Sequence, residues 1–297
     1  NSNIYIMFRF FVSLVLLFAA TTLSAQDHGK VMESLKFQSA ALNQSTEITI
    51  YLPPDYQSSE RNYPVVYLLH GYSDDETAWL QNGEVARIAD EGIKNGTIPP
   101  MIIVMPDGKI NWYINNYNNT QKYEDYLISE LVPYIDKNYR TRPSYKFRAL
   151  AGLSMGGYGS LYHLLKHPDM FIACAALSAA VITDQQASYW FQNPGLNFIE
   201  TYGEYKNNNL PKTWKENNIL TMAENVNKES LNNHFIWLDC GDDDFLIEGN
   251  FYLAMLLRNR GINFEFRMRD GAHTWTYWRE GIGPGLEYLR SEEHTSE

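Results

Sequence analysis

The chain has 297 residues, 44% of them hydrophobic, and a formal net charge of −11. This length buries a full hydrophobic core and fits one large α/β domain as well as two small ones. The acidic balance, without any basic stretch, argues against a nucleic-acid partner, because such partners require clustered Lys and Arg.

Residues 1–25 have the pattern of a secretory signal peptide. A positive charge at Arg9 precedes the apolar stretch 10–20, and the small residues at 23–25 predict cleavage after Ala25. The apolar stretch is shorter than the roughly 20 residues of a membrane span, although an uncleaved anchor is the alternative. We therefore expect an exported protein, periplasmic or extracellular, with no stable membrane insertion once the peptide is removed.

Both ends of the chain contain residues that we exclude from the fold prediction. Residues 1–6 precede the first Met and are open to interpretation as upstream translation. Residues 290–297 resemble the translation of a sequencing adapter, the alternative being a polar, frayed tail. Residues 26–289 remain, and we expect them to form a single domain.

Within this domain, short apolar runs alternate with segments of helical periodicity. Residues 47–52 alternate polar and apolar side chains, which predicts an antiparallel edge strand paired with 34–41. Near-continuous apolar runs are typical of strands covered on both faces. These runs occupy residues 64–69, 101–105, 147–151, 171–177, 234–240 and 264–268. Helices are predicted over residues 84–94, 123–137, 158–167 and 251–259.

Strands that alternate with helices predict an α/β fold with a mostly parallel sheet and helices on both faces. Active groups in such sheets gather at the carboxyl ends of the strands. The segment 179–233 is rich in Asn, Tyr and Trp and has weak periodicity, so we interpret it as an elaboration over that edge.

Two patterns predict burial of particular side chains. Cys174 and Cys240 lie inside strand-like runs, which favours buried free thiols, with a disulfide as the alternative in an exported protein. The helix over 123–137 carries one apolar stripe. Its members are Tyr126, Leu127, Leu131, Tyr134 and Ile135.

A Gly-x-Ser-x-Gly motif centred on Ser154 directly follows the predicted strand 147–151. Glycines permit the sharp turn that holds such a serine at the strand's carboxyl end, with a helix starting behind it. A serine hydroxyl needs a general base within hydrogen-bond reach, and that base needs an orienting carboxylate. Ser154 is therefore the candidate nucleophile.

His273 is the candidate base, because it lies in a glycine-containing loop after the last predicted strand. The other histidines fall near the amino terminus, on the helix behind the serine, at the amino end of a strand or in the suspect tail. The acid should follow the strand over 235–238. Four carboxylates crowd that position, and spacing alone does not choose among them. They are Asp239, Asp242, Asp243 and Asp244.

An oxyanion requires two N–H donors. The Met155 N–H, directly after the nucleophile, is the first candidate. The Tyr72 N–H is the second, because the loop after strand 64–69 contains Gly71, which lets the backbone approach the reacting carbonyl. His70 precedes this loop and is interpreted as a packing or hydrogen-bonding residue.

The chain resembles the esterase D-type family of α/β-hydrolases, which includes feruloyl and acetyl xylan esterases, over about residues 33–289. The resemblance rests on motifs spread along the chain, and only the adapter-like carboxyl terminus departs from it. The motifs are Tyr51-Leu-Pro-Pro-Asp-Tyr56, Leu68-Leu-His-Gly71 with Trp79, Met105-Pro-Asp-Gly108, Glu124-Asp-Tyr-Leu127, Gly152-Leu-Ser-Met-Gly-Gly157, His167-Pro-Asp-Met-Phe171, Gly241-x-x-Asp244 and Gly271-Ala-His-Thr-Trp275.

The resemblance implies an α/β-hydrolase fold and a serine esterase without metal or cofactor. The family's acid stands three residues after the glycine of its loop, which corresponds to Asp244, with Asp243 as the alternative. Feruloyl or acetyl esters of plant polysaccharides are the first expectation for the substrate. The alternative substrates are siderophore esters, short-chain esters and S-formylglutathione, and export disfavours the last of these. The alternative reaction is acyl transfer by the same triad.

Aromatic side chains on the predicted strand-end loops are candidates for substrate contact. Trp79, Trp112 and Trp275 could stack on a feruloyl ring or a sugar face, although ordinary packing is the alternative for each of them. The sequence carries no signal for the oligomeric state.

Overall fold

The computed structural model describes residues 28–289. The predicted signal peptide and the adapter-like segment 290–297 lie outside these residues. Among the helices of residues 28–289, none is both long and apolar enough to cross a bilayer.

The strands coincide with the apolar runs to within a few residues at each end. They are β1 Lys30–Ser39, β2 Gln44–Leu52, β3 Val65–Leu69, β4 Ile102–Pro106, β5 Arg148–Leu153, β6 Ala173–Leu177, β7 Phe235–Gly241 and β8 Glu265–Arg269. The inner strands β3 to β6 are buried at every residue. This burial explains their continuous apolar sequences, because helices cover both faces of a parallel sheet.

The strands of the described chain form one sheet in the order β1-β2-β4-β3-β5-β6-β7-β8. β2 pairs antiparallel with β1 and β4, and the remaining pairs are parallel. The predicted pairing of 47–52 with 34–41 is correct, but the predicted edge position of 47–52 is wrong. β1 covers the outer side of β2 from Lys30 opposite Leu52 to Ser39 opposite Gln44 and takes the edge itself.

The helices fill the connections between strands. The α-helices are α1 Ala78–Gln81, α2 Val85–Asn95, α3 Tyr123–Asp125, α4 Val132–Asn138, α5 Met155–Lys166, α6 Asp184–Trp190, α7 Phe198–Tyr202, α8 Lys212–Asn217, α9 Ile219–Asn225, α10 Ile247–Arg260 and α11 Trp275–Tyr288. Short 3₁₀ turns occupy Tyr145–Phe147, Pro194–Leu196 and Lys228–Leu231. Apolar side chains on α5 and α10 pack on one face of the sheet, and those on α2 and α11 pack on the other.

The helix predicted over 123–137 contains a π-helical turn, Tyr126–Leu131, between α3 and α4. Such a turn adds a residue to the helical repeat and shifts the phase of everything after it. The predicted stripe is therefore right for the buried residues Tyr126, Leu127, Leu131 and Ile135 but wrong for Tyr134, which is 38% exposed. The Tyr134 ring packs edge-on against Phe37 at the sheet margin instead.

The two cysteines are buried free thiols, as the strand-like runs predicted, and the disulfide alternative is wrong. Burial raises the pKa of both thiols above the ordinary value. Both side chains therefore serve as small apolar residues of the sheet.

Candidate active site

Ser154 sits at the turn between β5 and α5, with backbone angles φ 53° and ψ −115°. This conformation is rarely adopted by residues with a side chain. Two glycines make the turn sterically feasible. A Cβ on Gly152 would stand 2.5 Å from the Gly156 backbone, and a Cβ on Gly156 would stand 2.2 Å from the Leu69 carbonyl oxygen. The motif therefore places the Ser154 side chain at the carboxyl end of β5.

His273 lies in the loop between β8 and α11 and contacts Ser154 with one ring nitrogen. Its Nε2 atom is 3.0 Å from the Ser154 Oγ atom. Its Nδ1 atom is 2.9 Å from Asp244 Oδ2 and 3.1 Å from Asp244 Oδ1. Three side chains from three separate strand ends thus form one continuous hydrogen-bonded chain.

The Asp244 carboxylate is buried and held by more than the imidazole. The Leu246 N–H donates to Oδ1 at 2.9 Å. Burial alone would raise the pKa of Asp244, but the hydrogen bonds from His273 and Leu246 outweigh it and hold this pKa below its ordinary value. An ionised Asp244 accepts a hydrogen bond from the Nδ1–H of His273, which leaves Nε2 as the acceptor for the hydroxyl of Ser154.

The other three candidate acids lie elsewhere, and Asp239 belongs to β7 itself and not, as expected, to the loop that follows it. Asp242 and Asp243 are exposed, and one oxygen of each lies within 4.8 Å of an Asp270 oxygen. Asp239 is buried, where it accepts hydrogen bonds from Arg269 at 2.8 Å and from the Tyr277 hydroxyl at 2.5 Å. Of the four candidate acids, the structure brings Asp244 to His273.

The two candidate oxyanion donors flank Ser154. Met155 is the first residue of α5, so its N–H has no acceptor inside the helix. Tyr72 follows Gly71 in the loop after β3, and both line the cavity that opens on Ser154. His70 shapes this loop, as predicted. Its Nδ1–H donates to the Gly71 carbonyl at 2.7 Å, and its Nε2 accepts the Gly108 N–H at 2.7 Å.

The remaining histidines of the described residues lie away from Ser154, in agreement with the elimination made from the sequence. His163 is buried and contacts the Tyr113 carbonyl, and His167 contacts Glu124. His234 contacts the Pro168 carbonyl, and His28 lies beside Asp90.

Ser154 and His273 open into a cavity of about 550 Å³ with largely aromatic walls. Its aromatic lining consists of Tyr72, Trp112, Trp190, Phe245, Trp275 and Trp278, and Gly71, Asp74, Leu153, Ala180, Leu196 and Thr274 complete it. The volume lies within the range of about 300–1,000 Å³ that is typical of small-molecule sites. The cavity is therefore larger than a short acyl group needs.

Two of the three predicted substrate-contacting tryptophans, Trp112 and Trp275, line this cavity. Trp79 does not. It is buried in the core, where its Nε1–H donates to the Leu69 carbonyl at 3.0 Å and its ring meets Trp275 edge-on at 5.3 Å. Trp79 thus packs behind Trp275, which lines the cavity, because helix α1 directs the Trp79 indole toward the sheet.

Sequence reasoning missed two aromatic residues that contact His273. The Phe245 ring lies 4.6 Å from the imidazole and is 61% exposed at the cavity mouth. The Trp278 ring meets the imidazole at 4.7 Å and 89°, and its Nε1–H donates to Ser178 Oγ at 3.0 Å. The sequence could have indicated both residues, because Phe245 directly follows the candidate acids and Trp278 lies one helical turn after Trp275.

One carboxyl group interrupts the aromatic lining. Asp74 borders the cavity two residues after Tyr72. Burial is the main cause that raises the pKa of this carboxyl above its ordinary value, and it outweighs the opposing influence of His70 and the Gly71 backbone. The group is a candidate for contact with a hydroxyl of a bound substrate.

The Esterase family model, described as "Putative esterase", matches residues 39–289. The chain belongs to this family. It is a carboxylic ester hydrolase, and its sheet is that of the α/β-hydrolase fold, as predicted. The acetyl esterase of Caldicellulosiruptor saccharolyticus is 27% identical over 267 residues, which cover 86% of this chain and 96% of that protein.

A second relative and one solved structure are both named as esterases of ferulic acid esters. The endo-1,4-beta-xylanase/feruloyl esterase of Xylanibacter ruminicola is 36% identical over 153 residues, which cover 49% of this chain but only 21% of that longer protein. A ferulic acid esterase structure superposes with a TM-score of 0.77 at 31% identity, covering 89% of this chain and 99% of the other.

Proposed function

We propose that this esterase hydrolyses its substrate through a Ser154–His273–Asp244 triad and a covalent acyl-enzyme. The observation that carries the proposal is the unbroken contact from Ser154 Oγ through both ring nitrogens of His273 to the Asp244 carboxylate. Ser154 attacks the ester carbonyl while His273 Nε2 takes the hydroxyl proton. Asp244 keeps the imidazole in the right tautomer and stabilises the imidazolium that forms.

The N–H groups of Met155 and Tyr72 are proposed to bind the oxyanion. Charge develops on the carbonyl oxygen as Ser154 attacks, and preorganised donors stabilise that charge most where water is excluded. The imidazolium of His273 then protonates the leaving alcohol. Water, activated by the same imidazole, attacks the acyl-enzyme, releases the acid and restores Ser154.

Removal of the nucleophile tests the mechanism directly. Ser154→Ala should lower kcat by about a million-fold and abolish the burst of alcohol release that precedes steady-state turnover. Ser188→Ala, a half-buried serine whose hydroxyl donates to the Asp184 carbonyl and does not line the cavity at Ser154, is the matched control and should turn over normally. Esterase activity of Ser154→Ala within tenfold of the wild type would contradict the proposal.

Feruloyl esters of plant polysaccharides are the proposed substrates, with acetyl esters of the same polymers second. The aromatic cavity of about 550 Å³ is larger than an acetyl group requires, and flat walls such as Trp112 and Trp275 suit a planar ring. The feruloyl esterase relative and the ferulic acid esterase structure support the same ester.

A substrate panel separates these esters. Methyl ferulate, acetylated xylan, p-nitrophenyl acetate and p-nitrophenyl butyrate should be compared by kcat/KM. We expect methyl ferulate to exceed p-nitrophenyl butyrate despite its poorer leaving group. A preference for butyrate would favour a general short-chain carboxylesterase. A sugar acceptor added to the same assay detects acyl transfer as a new ester product.

Export is part of the proposal. It rests on the charged, apolar and small-residue pattern of residues 7–25, and it matches substrates that lie outside the cell. Expression of the coding sequence in a bacterial host, followed by fractionation and amino-terminal sequencing, should recover a protein that begins at Gln26. Recovery of the intact chain from the cytoplasm would contradict this part.

A further inference from the structure

A second cavity, of about 600 Å³, lies beside the ester site and is lined mainly by uncharged polar side chains. We call it the amide cavity. Carboxamides dominate its lining. The lining consists of Gln44, Lys109, Ile110, Asn111, Asn116, Tyr117, Asn118, Thr120, Gln121, Asn197, Ile199 and Glu200. Nothing in the proposed mechanism uses this cavity.

The two cavities share a narrow wall of chain. Asn111 and Asn197 line the amide cavity, while their neighbours in sequence, Trp112 and Leu196, line the ester cavity. Two hydrogen bonds hold the wall together. The Asn197 side chain donates to the Ile110 carbonyl at 3.2 Å, and the Trp112 indole donates to the Leu196 carbonyl at 3.0 Å. The two cavities therefore adjoin each other across this wall.

Three carboxamide side chains of the amide cavity make no hydrogen bond to another group within residues 28–289. They are those of Gln44, Asn111 and Gln121. The Gln121 amide oxygen is buried, so the NH₂ group is the part of this side chain that is left for a ligand. A carboxamide both donates and accepts, which is what a ligand rich in hydroxyl groups requires. By contrast, Asn116 and Asn118 are engaged with Thr120 in the turn that shapes the rim.

Tyr117 supplies an aromatic surface at the same place. Its side chain is 46% exposed, and its backbone N–H is anchored to the Thr201 carbonyl at 2.8 Å. One side of the ring rests close to Gly203, where a Cβ would stand 3.4 Å from the ring atoms. Because the side chain is about half exposed, the ring offers a flat apolar surface to a ligand.

The charges of the amide cavity disfavour an anionic ligand. Lys109 is paired with the buried carboxylate of Asp107 and is thereby neutralised. Glu200, on the rim, leaves a negative charge. Phosphate groups and acidic sugars would therefore be repelled, whereas a neutral polyhydroxyl chain could hydrogen-bond to the Glu200 carboxylate.

We infer that the amide cavity binds the neutral oligosaccharide part of the ester whose acyl group occupies the ester cavity. The inference rests on the proposed function, and it assigns the sugar chain to a surface about Tyr117, Asn111 and Gln121. Tyr117 stacks against the apolar face of a sugar ring, and the free carboxamides bind its hydroxyl groups. The esterase thereby selects polymer-linked esters over simple alkyl esters.

The first experiment compares two esters of the same acid. A feruloylated xylo-oligosaccharide and methyl ferulate are assayed with the wild type, Tyr117→Ala, Tyr117→Phe and Gln121→Ala. We expect the ratio of kcat/KM for the oligosaccharide ester to kcat/KM for methyl ferulate to fall about fivefold in Tyr117→Ala and in Gln121→Ala, the change that one net contact supplies. Tyr117→Phe keeps the ring and should retain the ratio. Asn259→Ala, an exposed amide on α10, is the matched control.

The second experiment is independent of hydrolysis. Binding of unesterified xylotetraose to the Ser154→Ala protein is measured by calorimetry, with and without Tyr117→Ala. Weaker binding with Tyr117→Ala supports the inference. Equal binding in both proteins, or no binding of xylotetraose at all, overturns it.

The outcomes separate the inference from the proposed function. A wild type that hydrolyses methyl ferulate with an unaltered ester ratio in Tyr117→Ala refutes the sugar surface and leaves the triad intact. A wild type that hydrolyses none of the esters refutes the proposed substrate, and the xylotetraose titration then decides the sugar surface alone.

Discussion

Replacement of Asp244 by Asn tests the proposed role of the acid, because the structure determines what the new amide can do. The Leu246 N–H donates to Oδ1 of Asp244, so an Asn keeps this bond only if its oxygen takes that position. Its NH₂ group then faces Nδ1 of His273, in the place where Oδ2 now accepts at 2.9 Å. An NH₂ group is a donor, and it forces the ring proton onto Nε2. Nε2 would then point a proton at Ser154 Oγ, 3.0 Å away, and could not accept one.

The opposite orientation of the amide is no better. It would place the NH₂ group against the Leu246 N–H, leaving two donors opposed at about hydrogen-bond distance in a buried site. The wrong tautomer in related triads costs about 10⁴-fold in kcat. This factor corresponds to about 5.5 kcal/mol of transition-state stabilisation. We expect a loss of that order in Asp244→Asn, with a much smaller change in KM.

The assay is steady-state hydrolysis of p-nitrophenyl acetate at pH 7, with the unfolding temperature measured on the same preparations. Asp242→Asn is the matched control, because Asp242 is exposed and an Asn oxygen can still accept the Gly271 N–H. This control should retain kcat within about twofold. A folded Asp244→Asn enzyme with kcat within tenfold of the wild type would refute the assignment of the acid, as would equal losses in both variants.

Two further substitutions test the surroundings of the triad. Trp278→Phe removes the indole hydrogen bond to Ser178 but keeps a ring beside His273. We expect kcat to fall about tenfold while KM changes less. An unchanged kcat would show that Trp278 only packs. Asp74→Asn should raise the unfolding temperature at pH 7 but not at about pH 2. Burial raises the pKa of Asp74, so folding disfavours its charged form at pH 7, whereas the carboxyl is protonated in both states well below its ordinary pKa. Exposed Asp169→Asn is the control, and a pH-independent change would contradict this sign.

The sheet could be predicted because burial on both faces leaves a direct trace in the sequence. Each of the strands β3 to β6 reads as a short apolar run, and the runs alternate with helical patterns. The π-helical turn Tyr126–Leu131 left no such trace, because its apolar residues fit the stripe of an ordinary α-helix. The burial prediction therefore fails at Tyr134, although it holds for Ile135.

The candidate site was readable where chemistry demands a fixed local pattern. Gly152 and Gly156 are required by backbone contacts of 2.5 Å and less that any Cβ would make, so the serine motif is visible in the sequence itself. The acid was not readable in this way, because four carboxylates lie within six residues of sequence at the end of β7 and only the family resemblance selected Asp244. Trp79 shows a different limit. Its place in the connection after β3 was correct, but it lies in helix α1 and not in a loop, and the direction of its side chain depends on the packing of α1 against the sheet.

The wall that separates the two cavities comes from the least predictable part of the chain. The Tyr72 hydroxyl donates to the Gly195 carbonyl at 2.7 Å, and the Trp112 indole donates to the neighbouring Leu196 carbonyl at 3.0 Å. Two strand-end loops thus fix the turn Pro194–Leu196, which lies in a segment without clear periodicity. None of these bonds involves Ser154, His273 or Asp244. We therefore expect substitutions in this turn to alter which esters enter the site while the hydrogen bonds of the triad stay as they are, so that the proposed substrate choice and the proposed chemistry depend on separate parts of the same sheet edge.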